Sequence, residues 1–203
     1  MSINFIGRVS KAIITHDELM YNRANFRDIY SGKPKGMTRK EYLSTLKDVP
    51  DKNMTKYQSV KAKKLLRRFN DMFNNGESEV GGIYSKGKAI NMHHIFPENE
   101  YAEISGYIEN LIALTPNQHF IEAHPNGNTQ IIDIAFQQLC LISKTSSIQK
   151  NLAGPEEQRI YSFGKFKYVL ATGLDNNSFE EIEELDFNEI VRMINIAYLQ
   201  MRV

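Results

Sequence analysis

Cysteine is almost absent from this chain: its 203 residues hold one, Cys140. A lone thiol excludes disulfides within the chain and any structural zinc site built from several thiolates. Cys140 lies in the apolar run IAFQQLCLI and is expected to behave as a small buried hydrophobe. Long apolar runs are missing as well. None approaches the roughly 18–20 residues of a membrane span, so no membrane partner is expected. The opening stretch MSINFIGRVSKAIITHDE has scattered charge and no cleavage-site pattern. No leader is expected from it, and a reducing, cytoplasmic setting fits. There is no internal repeat and no low-complexity stretch. Histidine is scarce too, yet four of the five, His93, His94, His119 and His124, fall within 32 residues.

What is present is ordinary in bulk and uneven in detail. With 41% hydrophobic and 24% charged residues, the chain is long and apolar enough for one sizeable core, with or without a small appendage. The net charge of +1 hides an asymmetry. Residues 1–75 hold 16 basic against 7 acidic residues, and residues 76–203 hold 9 against 17. A basic front half of this kind is either a solvated helical face or the footprint of a nucleic-acid surface.

That front half reads as helical. Thr15 to Glu18 has the form of a capping box opening a helix that runs to about Tyr30, and Thr38 to Glu41 opens a second, ending near Lys47. A third helix is expected over 56–73, stopped by Asn74, Asn75 and Gly76. On its wheel Ala62, Leu65, Leu66, Phe69, Met72 and Phe73 form one apolar stripe. Lys56, Lys61, Lys63, Lys64, Arg67 and Arg68 fall on the other side, where they would meet phosphate.

The middle changes character. Residues 88–96 (KAINMHHIF) read as a strand ended by Pro97. Successive side chains on a strand point to opposite faces. His93 and His94 would therefore look different ways, one toward a metal and the other toward a substrate. After Glu109 to Leu114 comes a compact helix start, with Thr115 at N-cap, Pro116 at N1 and Gln118 completing a capping box. Its short helix carries His119 in the first turn and stops by Pro125.

Taken together, H-H-x-x-P at 93–97, E-N-L-x-x-L at 109–114 and a histidine nine positions after Asn110 resemble the motif of the HNH nucleases. The resemblance covers about residues 83–125. It implies that family's ββα-metal fold, with one divalent cation held between a hairpin and a short helix. By alignment with the family, His94 is the general base, and imidazole with its pKa of about 6.5 suits that task near neutrality. The resemblance makes His93 and His119 the metal ligands. It makes Asn110 the motif asparagine, which either orients the base or braces the hairpin. The implied cofactor is one divalent ion, with Mg²⁺ the first choice and Mn²⁺ or another divalent ion open. His124 stands apart. Five positions are about 500° around an α-helix, about 140° off the face of His119. It is left as a metal ligand, a phosphate contact or a helix-end residue. His16 is expected to be merely exposed.

The chain also departs from the family pattern. Many HNH proteins brace the motif with two Cys-x-x-Cys pairs on zinc, and here no structural zinc is expected. The brace would come from Phe96, Leu111, Leu114, Phe120 and Ile121. Glu122 stands where a lysine is sometimes found.

The remainder reads as scaffold: an apolar helix over 129–143, a break at 151–154, a restart at Pro155, and a last helical region from Ser178. Tyr161, Phe163, Phe166, Tyr168 and Val169 would suit a strand equally well. Between Asp175 and Glu189 stand seven acids and no base, a surface that DNA would avoid. The apolar partners there, Ile190, Met193, Ile194, Ala197 and Leu199, would cover the core or form a dimer contact.

The expected architecture is α+β, a mostly helical scaffold around a small ββα-metal site. Residues 1–76 form a basic DNA-contacting region, 77–128 the nuclease core and 129–203 the scaffold. The expected function is metal-dependent cleavage of double-stranded DNA, most specifically by a homodimeric type II restriction endonuclease, with Lys61, Lys63, Lys64, Arg67 and Arg68 on the duplex. The alternatives are a homing or toxin nuclease of the same class, and a nucleic-acid-binding protein with a silent metal site.

Overall fold

The computed structural model describes residues 52–128 and 131–201, with side chains from Lys56 onward. The helices expected over 15–30 and 38–47, and His16, lie outside the described residues. What is described is mixed α and β: four helices and one two-stranded antiparallel sheet.

Helix α1, Lys52–Phe73, ends as its sequence foretells. Asn75 takes a left-handed φ of 52°, and the Gly76 amide donates back to the Asn70 carbonyl at 3.0 Å. This is the wrapped helix end that Asn and Gly favour. The buried face of α1 is shifted from the expected stripe. Ser59, Ala62, Leu65, Leu66 and Asn70 are buried, whereas Met72 and Phe73 are 42% and 37% exposed. Phe73 packs its ring on Phe69, centroids 4.9 Å apart, at the edge of the core.

The sheet is smaller than expected. Strand β1 is Asn91–His94 and strand β2 is Leu111–Leu114, with His93 opposite Ile112 and His94 opposite Leu111. The residues before Asn91 form turns, because β2 offers only four residues to pair with. All of β2 is buried. A sheet this small depends on cover, and α1 packs across both strands. Phe96, just past β1, lies on the bare backbone of Gly173, where a Cβ would come within 2.3 Å of its ring.

Three further helices close the core: α2, Ile134–Ala153, α3, Phe163–Gly173, and α4, Phe187–Met201. Helix α2 starts later than expected, since Asp133 caps it by accepting from the Phe136 amide at 2.8 Å. Pro155 opens only a 3-10 turn. The aromatic run that also suited a strand is helical, with Phe163, Phe166 and Val169 on its buried side. Leu199 is 63% exposed, while Ile190 and Ile194 are buried in the core. One hydrophobic cluster joins α1, the sheet and the three later helices. Cys140 is buried within it. Among the described residues no helix is long and apolar enough to cross a membrane.

Candidate metal centre and its neighbouring histidine

The helix after β2 begins as the sequence indicates and continues otherwise. The Gln118 amide donates to Thr115 Oγ1 at 3.2 Å, and the Thr115 amide donates to Gln118 Oε1 at 3.3 Å, a reciprocal capping box. Gln118 does more than cap. It is fully buried, receives the Ser78 hydroxyl and donates through Nε2 to the Val80 carbonyl at 2.8 Å. From this anchored start, Gln118–Ala123 winds as a π-helix.

His124 stands just past the end of that winding, at φ −126° and ψ 88°, outside helical geometry. His119 and His124 are five apart. The off-face geometry expected from an α-helix does not apply, and the rings come together with centroids 4.9 Å apart. His93, projecting from β1, completes the group at 5.2 Å from His119 and 5.1 Å from His124. One nitrogen from each of the three lies within 4.8 Å of the others. Donors around a single ion, at bond lengths of about 2.0–2.1 Å, sit somewhat closer, a difference that small ring rotations close.

The protonation pattern suits ligation. A carbonyl oxygen only accepts, so at 3.0 Å from the Ile131 carbonyl the His124 Nδ1 carries the proton. Its Nε2 lone pair is left for an ion, held in place as outer partners hold metal-bound imidazoles. His119 Nδ1 is buried without a hydrogen-bond partner, a condition rare enough in proteins to need a ligand or a reason. Burial, followed by the nearby His119 and His124, keeps His93 well below the usual imidazole pKa, and burial with His124 takes His119 down to about 4. His93 and His119 are thus held toward the neutral state, the form that binds metal.

His94 faces the opposite way and lives in a different environment. Its Nε2 donates to the Ser105 carbonyl at 2.9 Å, with Ser59 Oγ 3.3 Å away. Nδ1 is therefore the basic atom, 3.9 Å from Glu98 Oε2. Burial and the charge of Lys63 lower the His94 pKa to about 4. Ser59, His94 and Glu98 have the residue types of a nucleophilic triad, and Ser59 also donates to Glu98 at 3.3 Å. The tautomer rules that chemistry out. Nε2, the atom beside Ser59, already carries a proton committed to Ser105, so it cannot take another from the serine.

Asn110 does not reach the histidines. Fully buried, it accepts from the Phe96 amide at 2.9 Å and donates to the Phe96 carbonyl at 3.0 Å. Of the two roles open from the sequence, bracing the hairpin is the one its contacts perform. The expected apolar brace divides. Phe96, Leu111 and Leu114 are buried, whereas Phe120 and Ile121 are about half exposed, because the π-helix turns His119 and Ala123 inward instead.

The basic face of α1 divides too. Lys64, Arg67 and Arg68 are exposed, and Lys61 is partly covered with Nζ 4.5 Å from the Tyr57 ring centre. Lys63 is partly buried. Ser59, Glu98 and Ser105 around His94 were not legible as a group, since Ser59 lies far from the others in sequence. The only local hint was Glu98, four positions beyond His94. No family model, curated protein or solved structure matches this chain.

Proposed function

We propose that this protein is a metal-dependent nuclease that hydrolyses phosphodiester bonds of double-stranded DNA. The observation that supports it best is the pairing of two distinct histidine environments across one strand. His93, His119 and His124 converge with their ring nitrogens toward one another, and His94 beside them has its Nδ1 left basic. This arrangement, on two antiparallel strands followed by a short helix, agrees with the resemblance to HNH nucleases.

In this reading His93, His119 and His124 hold one divalent ion. When bound, the ion stabilises negative charge on the scissile phosphate and on the leaving oxygen. His94 Nδ1 takes a proton from the attacking water, while Ser105 holds the opposite nitrogen so that the ring cannot turn. Asn110 keeps the hairpin that carries both histidines. Lys64, Arg67 and Arg68 follow the phosphate backbone. The donor set alters the expected metal. Three imidazoles suit Zn²⁺ or Ni²⁺ better than Mg²⁺, which favours oxygen ligands.

A site-specific restriction endonuclease acting as a homodimer remains the specific form of the proposal. It rests on the helical scaffold, larger than a nuclease motif alone requires, and on the need for two sites to cut two strands. The test is incubation of supercoiled plasmid with Mg²⁺, Mn²⁺ or Zn²⁺, and with EDTA. Discrete fragments with a common end sequence are expected. An intact plasmid under every ion would sink the nuclease reading, and random ends would sink the restriction reading.

A further inference from the structure

Glu98 is the acid beside the basic nitrogen of His94. It stands on the turn that follows Pro97, closed by the Glu100 and Tyr101 amides, which donate to the Pro97 carbonyl at 3.2 and 2.9 Å. The turn brings Glu98 Oε2 back to 3.9 Å from His94 Nδ1. Ser59, 2% exposed on α1, reaches the same carboxylate, donating its hydroxyl proton to Oε2 at 3.3 Å. A hydroxyl has a single proton to give. Toward His94 Nε2, also 3.3 Å away, Ser59 Oγ therefore acts as an acceptor. The Nε2 proton lies between Ser59 Oγ and the Ser105 carbonyl, and a carboxylate brings no proton of its own. Nδ1 and Oε2 thus face each other as two acceptors. Two acceptors at this separation suit a molecule that offers a proton to each over about 2.8 Å, and water is such a molecule.

We propose that Glu98 is a catalytic residue whose Oε2 accepts from one O–H of the attacking water while His94 Nδ1 takes the proton of the other. This rests on reading the site as that of a phosphodiesterase. Ser59 is a positioning residue, holding Oε2 from a helix outside the histidine motif. With both hydrogens engaged, the lone pairs of the water are left to face phosphorus. As the new O–P bond forms, one water proton passes to Nδ1. The other stays on the new oxygen, hydrogen-bonded to Glu98. The leaving oxygen keeps the electron pair of its broken P–O bond and takes a proton from solvent. Glu98 gains no proton. It contributes orientation, and an attacking atom misplaced by about 1 Å reacts about a hundredfold more slowly.

The test uses the full-length protein and supercoiled plasmid, with Mg²⁺, Mn²⁺ and Zn²⁺ in turn. Glu98→Gln keeps the size of the side chain, but its amide can donate to Nδ1 and block it. Its kcat should fall about a hundredfold, with KM and calorimetric ion affinity little changed. Glu98→Asp keeps an acceptor one methylene back and should recover part of the loss. Ser59→Ala should cost about tenfold, the worth of one hydrogen bond. Formate should restore part of the rate of Glu98→Ala and leave wild type unchanged, a response that a merely structural role would not give. A readout without cleavage comes from nitrogen NMR of the metal-free protein. His94 should carry its proton on Nε2 in wild type and in Glu98→Ala alike. A proton found on Nδ1, directed at Glu98, would overturn the assignment. So would Glu98→Gln cutting as fast as an active wild type, with the nuclease reading still standing. Wild-type protein that cuts under no ion would remove that reading and this role together.

Discussion

The protein buries two polar clusters against its small sheet, and they differ in one respect. In the first, Lys144 Nζ donates to both oxygens of Glu79, at 2.9 and 2.7 Å, and sits 3.0 Å from the Tyr161 hydroxyl. Glu79 also accepts from the Ala113 amide of β2 at 2.9 Å. An ammonium has three protons to give, and here all three have takers. In the second, His93, His119 and His124 turn nitrogens toward one another, and His119 Nδ1 has no partner at all. Burial is common to both clusters, so burial alone does not mark a functional site. Unused bonding capacity does. The saturated cluster ties α2 to β2, and the unsaturated one keeps the bonding capacity that the proposed ion would use.

The comparison is broken most severely by opening the closed cluster. Lys144→Met leaves the Glu79 carboxylate without its cation, and removing one partner of a buried pair costs about 3–5 kcal/mol. Denaturant unfolding should report that loss equally with and without metal. A loss of less than about 1 kcal/mol, the worth of one weak hydrogen bond, would mean that the cluster is not structural.

His94→Ala probes the base beside the open cluster. Cleavage should fall about 10²–10⁴-fold, with Mn²⁺ affinity little changed, since His94 faces away from the three ligands. Activity within a few-fold of wild type in the folded variant would remove His94 from the reaction.

His93→Ala, His119→Ala and His124→Ala should each weaken Mn²⁺ binding by on the order of tenfold or more. A much smaller loss for His124 would mean that it does not reach the ion. His93→Ala and His119→Ala should lower metal-free stability less than Lys144→Met does, because neither breaks a buried ion pair, while His124→Ala also loses its hydrogen bond to the Ile131 carbonyl.

The smallest effect sharpens the contrast through pH. His93, His94 and His119 have folded-state pKa values below the ordinary 6.5. As pH falls from about 6.5 toward 4, the unfolded chain takes up protons that the folded chain refuses, and stability is lost. It is fully present above 6.5. A falling Tm across that window in EDTA is expected. A flat profile would show that the imidazoles are not held neutral by burial.

Much of the local structure was legible. Asn75 and Gly76 end α1, Thr115 and Gln118 cap the next helix, and strand alternation separates His93 from His94, all through rules acting over a few residues. The misplaced starts of α2 and α3 have local causes of the same kind. Asp133 and Ser162 cap those helices, and apolar content drew the expected boundaries away from them. The exposed Phe120 and Ile121 were beyond such rules, because the π turn that exposes them depends on Gln118 being held by Ser78 and Val80.

The sequence alone determined the residue types at hand, their order and their local geometry: adjacent histidines on a strand, a third in a capped helix and a basic helix before them. Tertiary structure decided what each group is free to do. It brought the His124 ring to His119, committed His94 Nε2 to Ser105 and engaged Asn110 with Phe96. The physical reason is range. Caps and strand alternation are settled within a few residues along the chain. A tautomer or an unsatisfied nitrogen depends instead on partners brought near only by packing, such as Ser59 beside His94 or Lys144 beside Glu79.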